Sequence, residues 1–262
     1  MNLKYPEDFI NHIINGDSLE ILKLIPNNSI DLIITSPPYN VGIEYDNYSD
    51  NLSKLKYIEF INFTLYEIER ILVNGGRVAF VVGNASNKTR RENFQHFGCL
   101  FLNLYSNNNI NPSGLICWNK NITGNSTAWG SWMSPSAPSI RSVWESIVIG
   151  RKAGKFEIKD KIDINREEFL NWTCDLWNIP PASTKKEIHP TPFPPEIPKR
   201  LIKIYSCQNN IILDPFVGSG TTCIVAKQLH RNYIGIDISN KYCKMAKSRL
   251  SQTTLNEINE NK

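Results

Sequence analysis

The sequence has no long apolar run and no recognisable targeting segment. None of its apolar stretches approaches the ~18 residues that a membrane-spanning helix needs. The first ten residues, MNLKYPEDFI, have neither the basic segment nor the apolar stretch of a secretory signal. Internal repeats and low-complexity linkers are also missing. We therefore expect a cytoplasmic protein with no membrane partner, folded as one domain with at most a modest insertion.

Clusters of metal-binding residues are missing too. The six cysteines lie far apart, no two have CxxC spacing, and the four histidines complete no ligand pattern with them. Neither a zinc site nor a disulfide framework is expected, so the cysteines are predicted to be reduced thiols in the core.

The chain has no strong excess of charge of one sign. Its 262 residues include 29 Lys and Arg against 25 Asp and Glu, which gives a net charge of +4 and a pI of about 8.6. This balance is compatible with a nucleic-acid partner but does not establish one. Hydrophobic residues make up 41% of the chain, which is enough for a real core, so disorder of the whole chain is excluded.

Strands and helices are predicted to alternate along the chain. Apolar runs bounded by turn residues predict strands at 11–17, 31–35, 77–82, 115–120, 145–151, 211–213 and 233–238. Helical spacing predicts helices from the first strand to about residue 24 and at 57–72, 221–229 and 241–250. Residues 40–53 should form a surface loop, Asn74-Gly75-Gly76 should end the second helix, and the tail from Ser251 should fray. The alternation predicts an α/β fold with a doubly wound, mostly parallel sheet.

A glycine turn follows one of the predicted strands. Residues 211–222 read IILDPFVGSGTT, so a buried strand delivers Asp214 and a turn containing Gly218 and Gly220 precedes a helix. Asp237 ends the next strand, 23 residues after Asp214. Rossmann-type folds place the carboxylate that binds ribose hydroxyls at this spacing. Cys223 stands where a third glycine would complete a dinucleotide fingerprint, which weakens an NAD interpretation and leaves plain turn chemistry as an alternative.

The segment Thr35-Ser36-Pro37-Pro38-Tyr39-Asn40 also follows a predicted strand. An isolated Pro-Pro pair usually means only a stiff loop. Open α/β sheets, however, bind ligands at the carboxyl edge of their strands, where this segment must lie. A hydroxyl and rigid carbonyls can accept hydrogen bonds from an amino group while an aromatic ring stacks on a flat base.

Taken together, the two motifs resemble those of the DNA methyltransferases that methylate exocyclic amino groups. The SPPY segment precedes the cofactor motif, as in the circularly permuted β group of that family. Asn15-Gly16-Asp17, Trp118-Asn119-Lys120 and His189-Pro190-Thr191 match the same order, so the resemblance covers nearly all of residues 11–250. It implies a Rossmann-like α/β methyltransferase fold, S-adenosyl-L-methionine as cofactor and double-stranded DNA as partner. It also implies a restriction-modification role, with a possible homodimer and a cognate restriction endonuclease that acts separately.

The resemblance also implies which residues bind the cofactor. Asp237 would hold the ribose hydroxyls and Asp17 the adenine edge. Asp214 would either contact the methionine end or order the turn. Other residues would line or close the pocket, namely Phe216, Gly218, Gly220, Thr222, His189 and Thr191.

On the substrate side, the resemblance implies that Ser36 Oγ and the Pro37 carbonyl accept hydrogen bonds from the target amino group. Pro38 would stiffen the loop and Tyr39 would stack on the base. The family uses Asp, Asn or Ser at the first position of this tetrapeptide. Adenine enzymes of the β group usually carry Asp, whereas Ser is typical of cytosine-N4 enzymes. Ser36 therefore favours N4-cytosine over N6-adenine, and the chemistry of the amine alone does not decide between them.

The resemblance divides the chain into four parts. Residues 1–120 would be the catalytic half and 189–250 the cofactor-binding half of one domain. Residues 121–188 would form a target-recognition region that contains a core strand near 145–151, and 251–262 a polar tail. All six tryptophans fall between positions 118 and 177. About half of them are expected in a core, whereas Trp129 and Trp132 are expected to meet DNA. Candidate phosphate contacts are Arg141, Arg151, Lys152, Lys155, Lys185 and Lys186.

Three rival functions remain. Glutamine-modifying protein methyltransferases use a related Asn-Pro-Pro-Tyr tetrapeptide, but their cofactor motif comes first, and an RNA methyltransferase is a similar alternative. A non-catalytic DNA-binding protein would be expected to lose the motifs, and both are intact. Methylation of a cytosine ring carbon needs a cysteine that follows proline, and none of the six cysteines does.

Overall fold

The computed structural model describes residues 3–39, 44–45, 48–49, 52–83, 96–120, 131–138, 143–182 and 193–260. Within these ranges the strands are β1 (His12–Asn15), β2 (Ile30–Thr35), β3 (Glu44–Tyr45), β4 (Tyr48–Ser49), β5 (Leu72–Val82), β6 (Ile110–Asn119), β7 (Trp144–Lys152), β8 (Leu176–Asn178), β9 (Ile211–Asp214) and β10 (Asn232–Asp237). The helices are α1 (Ser18–Leu22), α2 (Lys54–Ile71), α3 (Phe97–Asn107), α4 (Arg166–Trp172), α5 (Glu196–Tyr205), α6 (Thr221–Gln228) and α7 (Asn240–Glu260).

An eight-stranded sheet forms the centre of the described structure, in the order β1-β10-β9-β2-β5-β7-β6-β8. The first five strands in this order are parallel to one another, and β6 is parallel to β8. Strand β7 is antiparallel to both of its neighbours. The short strands β3 and β4 form a separate antiparallel pair. The prediction of an α/β fold with a doubly wound, mostly parallel sheet is therefore confirmed.

Each face of the sheet packs against its own layer of helices. Residues along a strand point alternately to opposite faces, so Ile33 belongs to one apolar cluster while Leu32 and Ile34 belong to the other. The first cluster joins the sheet to α1, α2 and α3, and the second joins it to α5, α6 and α7. Such two-sided burial explains why the parallel strands are nearly continuous apolar runs rather than alternating ones.

Three helices lie where no element was predicted. Helix α5 follows a proline-rich segment and contains Pro198 in its first turn, where the backbone N–H has no helical acceptor to lose. Helix α4 has a capping box in which Asn165 and Glu168 bond each other's backbone. Helix α3 buries Phe101 and Tyr105 against the sheet. Prolines in and before α5 and the short length of α4 hid the helical period of these two helices.

The prediction that Asn74-Gly75-Gly76 ends the second helix is wrong. Helix α2 ends at Ile71, and β5 begins at once and passes through these residues. The pairing of β5 with β2 shifts register here, which leaves extra residues that bulge out of the ladder. Gly75 has φ of +75°, and a Cβ at this position would lie 2.3 Å from the backbone nitrogen of Phe156. The glycine therefore serves close backbone packing rather than helix termination.

Other predictions at the ends of the chain and on its surface also need correction. Helix α7 continues to Glu260, so the chain from Ser251 to that residue is helical. Cys99 and Cys174 are exposed, because they lie on the outer side of α3 and in the turn after α4, so they are not core thiols. None of the helices in the described part of the chain combines the length and apolar character needed to span a bilayer.

Candidate active site

A cavity of about 240 Å³ opens at the carboxyl edge of the sheet. The strands β1, β10, β9 and β2 are adjacent and parallel, so the residues that end or follow them meet at this edge. Among the predicted site residues, the cavity is lined by Asp17, Ser36, Pro37, Pro38, Tyr39, Asp214, Phe216, Gly218 and Asp237. The fold thus brings together two motifs that lie almost 180 residues apart in the sequence.

The Asp214 carboxylate binds the two halves of the site to each other. One of its oxygens accepts hydrogen bonds from Thr35 Oγ1 at 2.6 Å and from the Phe216 N–H at 3.1 Å. The other accepts a bond from Thr222 Oγ1 at 2.7 Å. Burial raises the pKa of Asp214 to about 6, although these donors stabilise the ionised form. Both oxygens are engaged within the protein, which favours the turn-ordering role over contact with a ligand.

Asp237 orders the glycine turn from the neighbouring strand. Its two oxygens accept backbone hydrogen bonds from Gly218 at 2.9 Å and from Ser239 at 2.8 Å. Burial raises the pKa of Asp237, and these two bonds oppose the shift. A carboxylate has about four lone-pair sites, so two remain for ligand hydroxyls at the cavity wall. Asp17 is exposed and caps α1 by accepting a bond from the Leu19 N–H at 2.8 Å.

Ser36 and Tyr39 contact each other at the start of the loop that follows β2. Ser36 Oγ lies 2.9 Å from Tyr39 Oη, which in turn donates a hydrogen bond to the Val81 carbonyl at 3.2 Å. Pro37 and Pro38 lie between them and line the cavity. The tyrosine ring packs beside Phe97, with the ring centroids 6.4 Å apart.

Gly220 was predicted to line the pocket and Thr222 to close it, but both lie behind its wall. Thr222 is buried with its hydroxyl on Asp214, and Gly220 packs against α7. Gly220 has φ of +87°, and a Cβ there would lie 2.8 Å from the Ala246 Cβ. A glycine is therefore required at position 220 by the turn and by helix packing. The neighbouring residues Ser219 and Thr221 face the cavity instead. His189 and Thr191 lie outside the described residues.

Sequence reasoning missed several apolar residues of the cavity. Phe60 from α2 packs on Phe216 with ring centroids 5.7 Å apart, and Phe193 forms another part of the wall. Phe60 lies beside the apolar stripe of α2 rather than in it. The helical pattern therefore did not indicate that Phe60 contacts the turn after β9. Phe193 closely follows the His189–Thr191 segment, which was predicted to close the pocket, so the sequence did indicate this part of the chain.

The chemistry of the cavity favours a cation that carries hydroxyls and an aromatic group. The described lining residues include three carboxylates and several aromatic rings, but no lysine or arginine. Carboxylates suit hydroxyls and positive charge, and aromatic faces attract cations. A pyrophosphate would find no cationic partner among them. These residues therefore fit S-adenosylmethionine, a sulfonium with a ribose and an adenine, better than a dinucleotide.

Comparison with known proteins gives the family. The family model described as DNA methylase, which covers N6- and N4-methylating enzymes, matches residues 30–248. The chain belongs to this family. It is 34% identical over 177 residues to the Type II methyltransferase M.MjaVI of Methanocaldococcus jannaschii, an alignment that covers 67% of this chain and 88% of the relative. It is 28% identical to the DNA adenine methyltransferase YhdJ of Escherichia coli, with 91% of this chain and 82% of the relative covered.

Solved structures agree with this assignment. The putative DNA modification methylase TTHA0409 of Thermus thermophilus, in complex with S-adenosyl-L-methionine, matches with a TM-score of 0.75 and 25% identity over 93% of this chain and 94% of that one. The cytosine-N4-specific PvuII DNA methyltransferase matches with a TM-score of 0.71 and 18% identity, over 90% and 85% of the two chains, and so supports the fold alone. The amino-methylating DNA methyltransferase described here uses S-adenosyl-L-methionine as its cofactor.

The structure describes some of the candidate DNA-binding residues of this methyltransferase, and three of them lie toward the sheet edge opposite the cavity. Arg151 pairs with Arg77 near the start of β5, so it lies at the edge opposite the cavity. Lys152 is next to it and bonds Asn28 and the carbonyl of Glu69. These two residues therefore lie away from the cavity, and their role as phosphate contacts stays a prediction. Trp132 is 64% exposed, as expected for a contact residue, whereas Trp118, Trp172 and Trp177 are buried core residues.

Lys155 is exposed near the same opposite edge, because it follows β7 and neighbours Gly75. Trp129, Arg141, Lys185 and Lys186 lie outside the described residues. The target-recognition role of 121–188 stays a prediction, and its described parts include the core strand β7 and the edge strand β8.

Proposed function

We propose that this methyltransferase modifies the N4 amino group of cytosine in double-stranded DNA at a specific sequence. The observation that carries the base assignment is Ser36 at the head of the tetrapeptide, in the cavity wall and beside Tyr39. Serine at this position is typical of cytosine-N4 enzymes, as the family resemblance implies. N6-adenine is the second candidate, because YhdJ, a relative of similar length, is named as an adenine methyltransferase.

The target base would leave the helix stack and enter the cavity from the side of residues 36–39. Extrusion of a base costs a few kcal/mol, which stacking on the Tyr39 ring would partly offset. Ser36 Oγ and the Pro37 carbonyl would then accept hydrogen bonds from the amino group. An exocyclic amine is a poor nucleophile because its lone pair is delocalised into the ring. Two acceptors outside the ring plane would draw the nitrogen toward sp³ geometry and localise that pair.

The cofactor would lie against the opposite wall of the cavity. S-adenosylmethionine supplies an electrophilic methyl group on a sulfonium sulfur that leaves as a neutral thioether. Asp237 would hold the ribose hydroxyls and Asp17 the adenine edge, with Phe216 and Gly218 forming the floor. Asp214 would keep the two loops in register through Thr35 and Thr222. The proton released by the methylated amine would pass to water, since no described residue in contact with Ser36 is a base.

The order of the motifs supports membership of the permuted β group. The base-side loop follows β2, whereas the cofactor turn follows β9 near the end of the chain, although β2 and β9 are neighbours in the sheet. A role in restriction-modification is also part of the proposal, because M.MjaVI and other relatives are named Type II methyltransferases. A homodimer and a cognate endonuclease that acts separately complete it.

The test is to sequence DNA from cells that express the protein, with a method that detects modified bases. Cells with the wild-type protein should carry N4-methylcytosine in one sequence context, and cells with Ser36→Ala should carry far less. A Tyr105→Phe variant is the control, because Tyr105 donates to the Val148 carbonyl well away from the cavity. Detection of N6-methyladenine instead of N4-methylcytosine would refute the base assignment. Unmodified DNA from cells that contain folded protein would refute the function.

A further inference from the structure

The hydroxyl groups of Ser36 and Tyr39 form a short chain of hydrogen bonds with a strand carbonyl. Ser36 Oγ is 2.9 Å from Tyr39 Oη, and Tyr39 Oη is 3.2 Å from the Val81 oxygen. A phenol has one hydrogen and a carbonyl can only accept. The tyrosine hydrogen is therefore directed at Val81, and the hydrogen in the Ser36–Tyr39 contact must be that of the serine.

We propose that the Tyr39 hydroxyl is a positioning group that fixes the direction of the Ser36 hydroxyl, so that the serine acts toward the target base only as an acceptor. This inference rests on the proposed function, in which Ser36 accepts a hydrogen bond from the target amine. A free serine hydroxyl rotates to suit its surroundings and could equally donate to an acceptor nitrogen of the base ring. With its hydrogen on Tyr39, Ser36 has only lone pairs to present to the cavity.

The fold supplies the carbonyl at the end of this chain. The pairing of β2 with β5 ends at Thr35 and Phe80. Pro37 and Pro38, which follow β2 closely, have no N–H to donate to the ladder. Strand β5 continues to Val82, so the Val81 carbonyl lies beyond the last residue of its parallel neighbour. The Tyr39 hydroxyl takes the place of a strand amide there. Gly83 borders the ring, since a Cβ at that position would be 3.5 Å from Tyr39 Cε2.

This arrangement distinguishes the serine loop from one headed by a carboxylate. An ionised carboxylate is an acceptor in every orientation and needs no partner to direct a hydrogen. A serine needs one, and here the aromatic residue three positions later provides it. Tyr39 would thus have two separable roles, stacking through its ring and orientation of Ser36 through its hydroxyl.

Tyr39→Phe separates the two roles, because it keeps the ring and removes only the hydroxyl. The single-turnover rate of methyl transfer to the duplex site identified by sequencing should fall about tenfold, which corresponds to about 1.4 kcal/mol. Affinity for S-adenosylmethionine should stay within about twofold of wild type, since the change lies outside the cofactor wall. Tyr105→Phe, which also removes a bond from a tyrosine to a strand carbonyl, should leave the rate unchanged. An unchanged rate in Tyr39→Phe would overturn the inference.

A double-mutant cycle with Ser36→Ala tests whether the effect acts through the serine. In the alanine background there is no hydroxyl to direct, so Tyr39→Phe should cause no further loss. An equal loss in both backgrounds would overturn the inference and leave the proposed function intact. A normal rate in Ser36→Ala alone would instead refute the base-side role that the proposed function gives to Ser36.

Equilibrium binding gives the same answer if the alanine variants turn over too slowly to measure. The probes are two duplexes that differ only in the target base, one with its amino group and one with hydrogen in its place. Loss of the amino group also makes extrusion of the base easier, but this effect is the same for both proteins. The affinity for the amino-bearing duplex, divided by the affinity for the other, should therefore be severalfold lower for Tyr39→Phe than for wild-type protein. An affinity ratio that is the same in both proteins would contradict the positioning role.

Discussion

Asp237→Asn should damage the cofactor site more than it damages the fold. The carboxylate accepts backbone hydrogen bonds from Gly218 and Ser239 at 2.9 and 2.8 Å. Asparagine keeps one carbonyl oxygen and turns an NH₂ group toward the other N–H, so one of the two bonds is lost. A hydrogen bond to a charged group contributes about 1.5–3 kcal/mol, which for a domain of this size corresponds to a melting temperature lower by roughly 5 °C.

The loss of cofactor affinity would come in addition to this structural effect. A ribose hydroxyl bound to the carboxylate would lose a charge-assisted bond of similar strength, so the Kd should rise about 10- to 100-fold. Isothermal titration calorimetry measures this Kd directly, and affinity for DNA measured without cofactor should change little. Thermal unfolding without ligand reports the structural part separately.

Asp31→Asn provides the matched control. Asp31 is also a largely buried carboxylate that accepts a strand N–H, from Ile211 at 2.8 Å, and burial raises its pKa as well. It lies at the opposite end of the strands from the cavity. Its asparagine variant can keep this one bond through the amide oxygen, so it should lower the melting temperature less than Asp237→Asn does and leave cofactor affinity unchanged. An unchanged Kd in Asp237→Asn, or an equal rise in both variants, would refute the ribose-binding role.

Two further predictions concern the turn that holds the site together. The raised pKa of Asp214, about 6, means that the folded state binds a proton more tightly than the unfolded state between about pH 4 and 6. The wild-type free energy of unfolding should therefore fall by about 3 kcal/mol as pH rises through this window, relative to that of Asp214→Asn. Denaturant unfolding of both proteins at about pH 4 and pH 7 measures this change. A stability difference between the two proteins that does not depend on pH would contradict the prediction. Gly220→Ala should cost about 2 kcal/mol or more, because φ is +87° and its Cβ would crowd Ala246. Gly114→Ala, whose Cβ would meet Ile149 at an ordinary 3.6 Å, should be tolerated in the same melting experiment, and equal stability losses would refute this reading of Gly220.

The sequence allowed the carboxyl edge of the sheet to be predicted better than its other parts. Apolar strands followed by Asp17, Ser36, Asp214 and Asp237 could be recognised because each is short, buried and ended by a turn residue. Parallel strands bring their carboxyl ends to one edge, so the meeting of these residues followed from the fold class. The strand of residues 110–119 was recognised only in its second half, because Asn-Pro-Ser-Gly at its start is typical of a turn.

Contacts between distant segments could not be predicted from local pattern. The bond from Thr35 to Asp214 joins residues far apart in the chain, and together with the bonds from Phe216 and Thr222 it favours the turn-ordering role of the carboxylate. Gly220 matched a ligand-binding motif, but the structure shows that a side chain there would collide with Ala246 of the neighbouring helix. The sequence pattern could not reveal this contact. The helix of residues 196–205 was hidden by proline, which sequence rules treat as a breaker although the first turn tolerates it.

Identification of the methylated nucleoside shows which base this enzyme modifies and at which atom. Purified protein is incubated with duplex DNA and S-adenosylmethionine, the DNA is digested to nucleosides, and the product is identified by mass spectrometry. We expect N4-methylcytosine from the wild-type protein, and residual activity in each of six single cysteine variants that folds, because no covalent bond between protein and base is required. N6-methyladenine would overturn the choice of base but keep transfer to an amino group. The appearance of 5-methylcytosine would refute both the choice of atom and the proposed transfer to an exocyclic amino group.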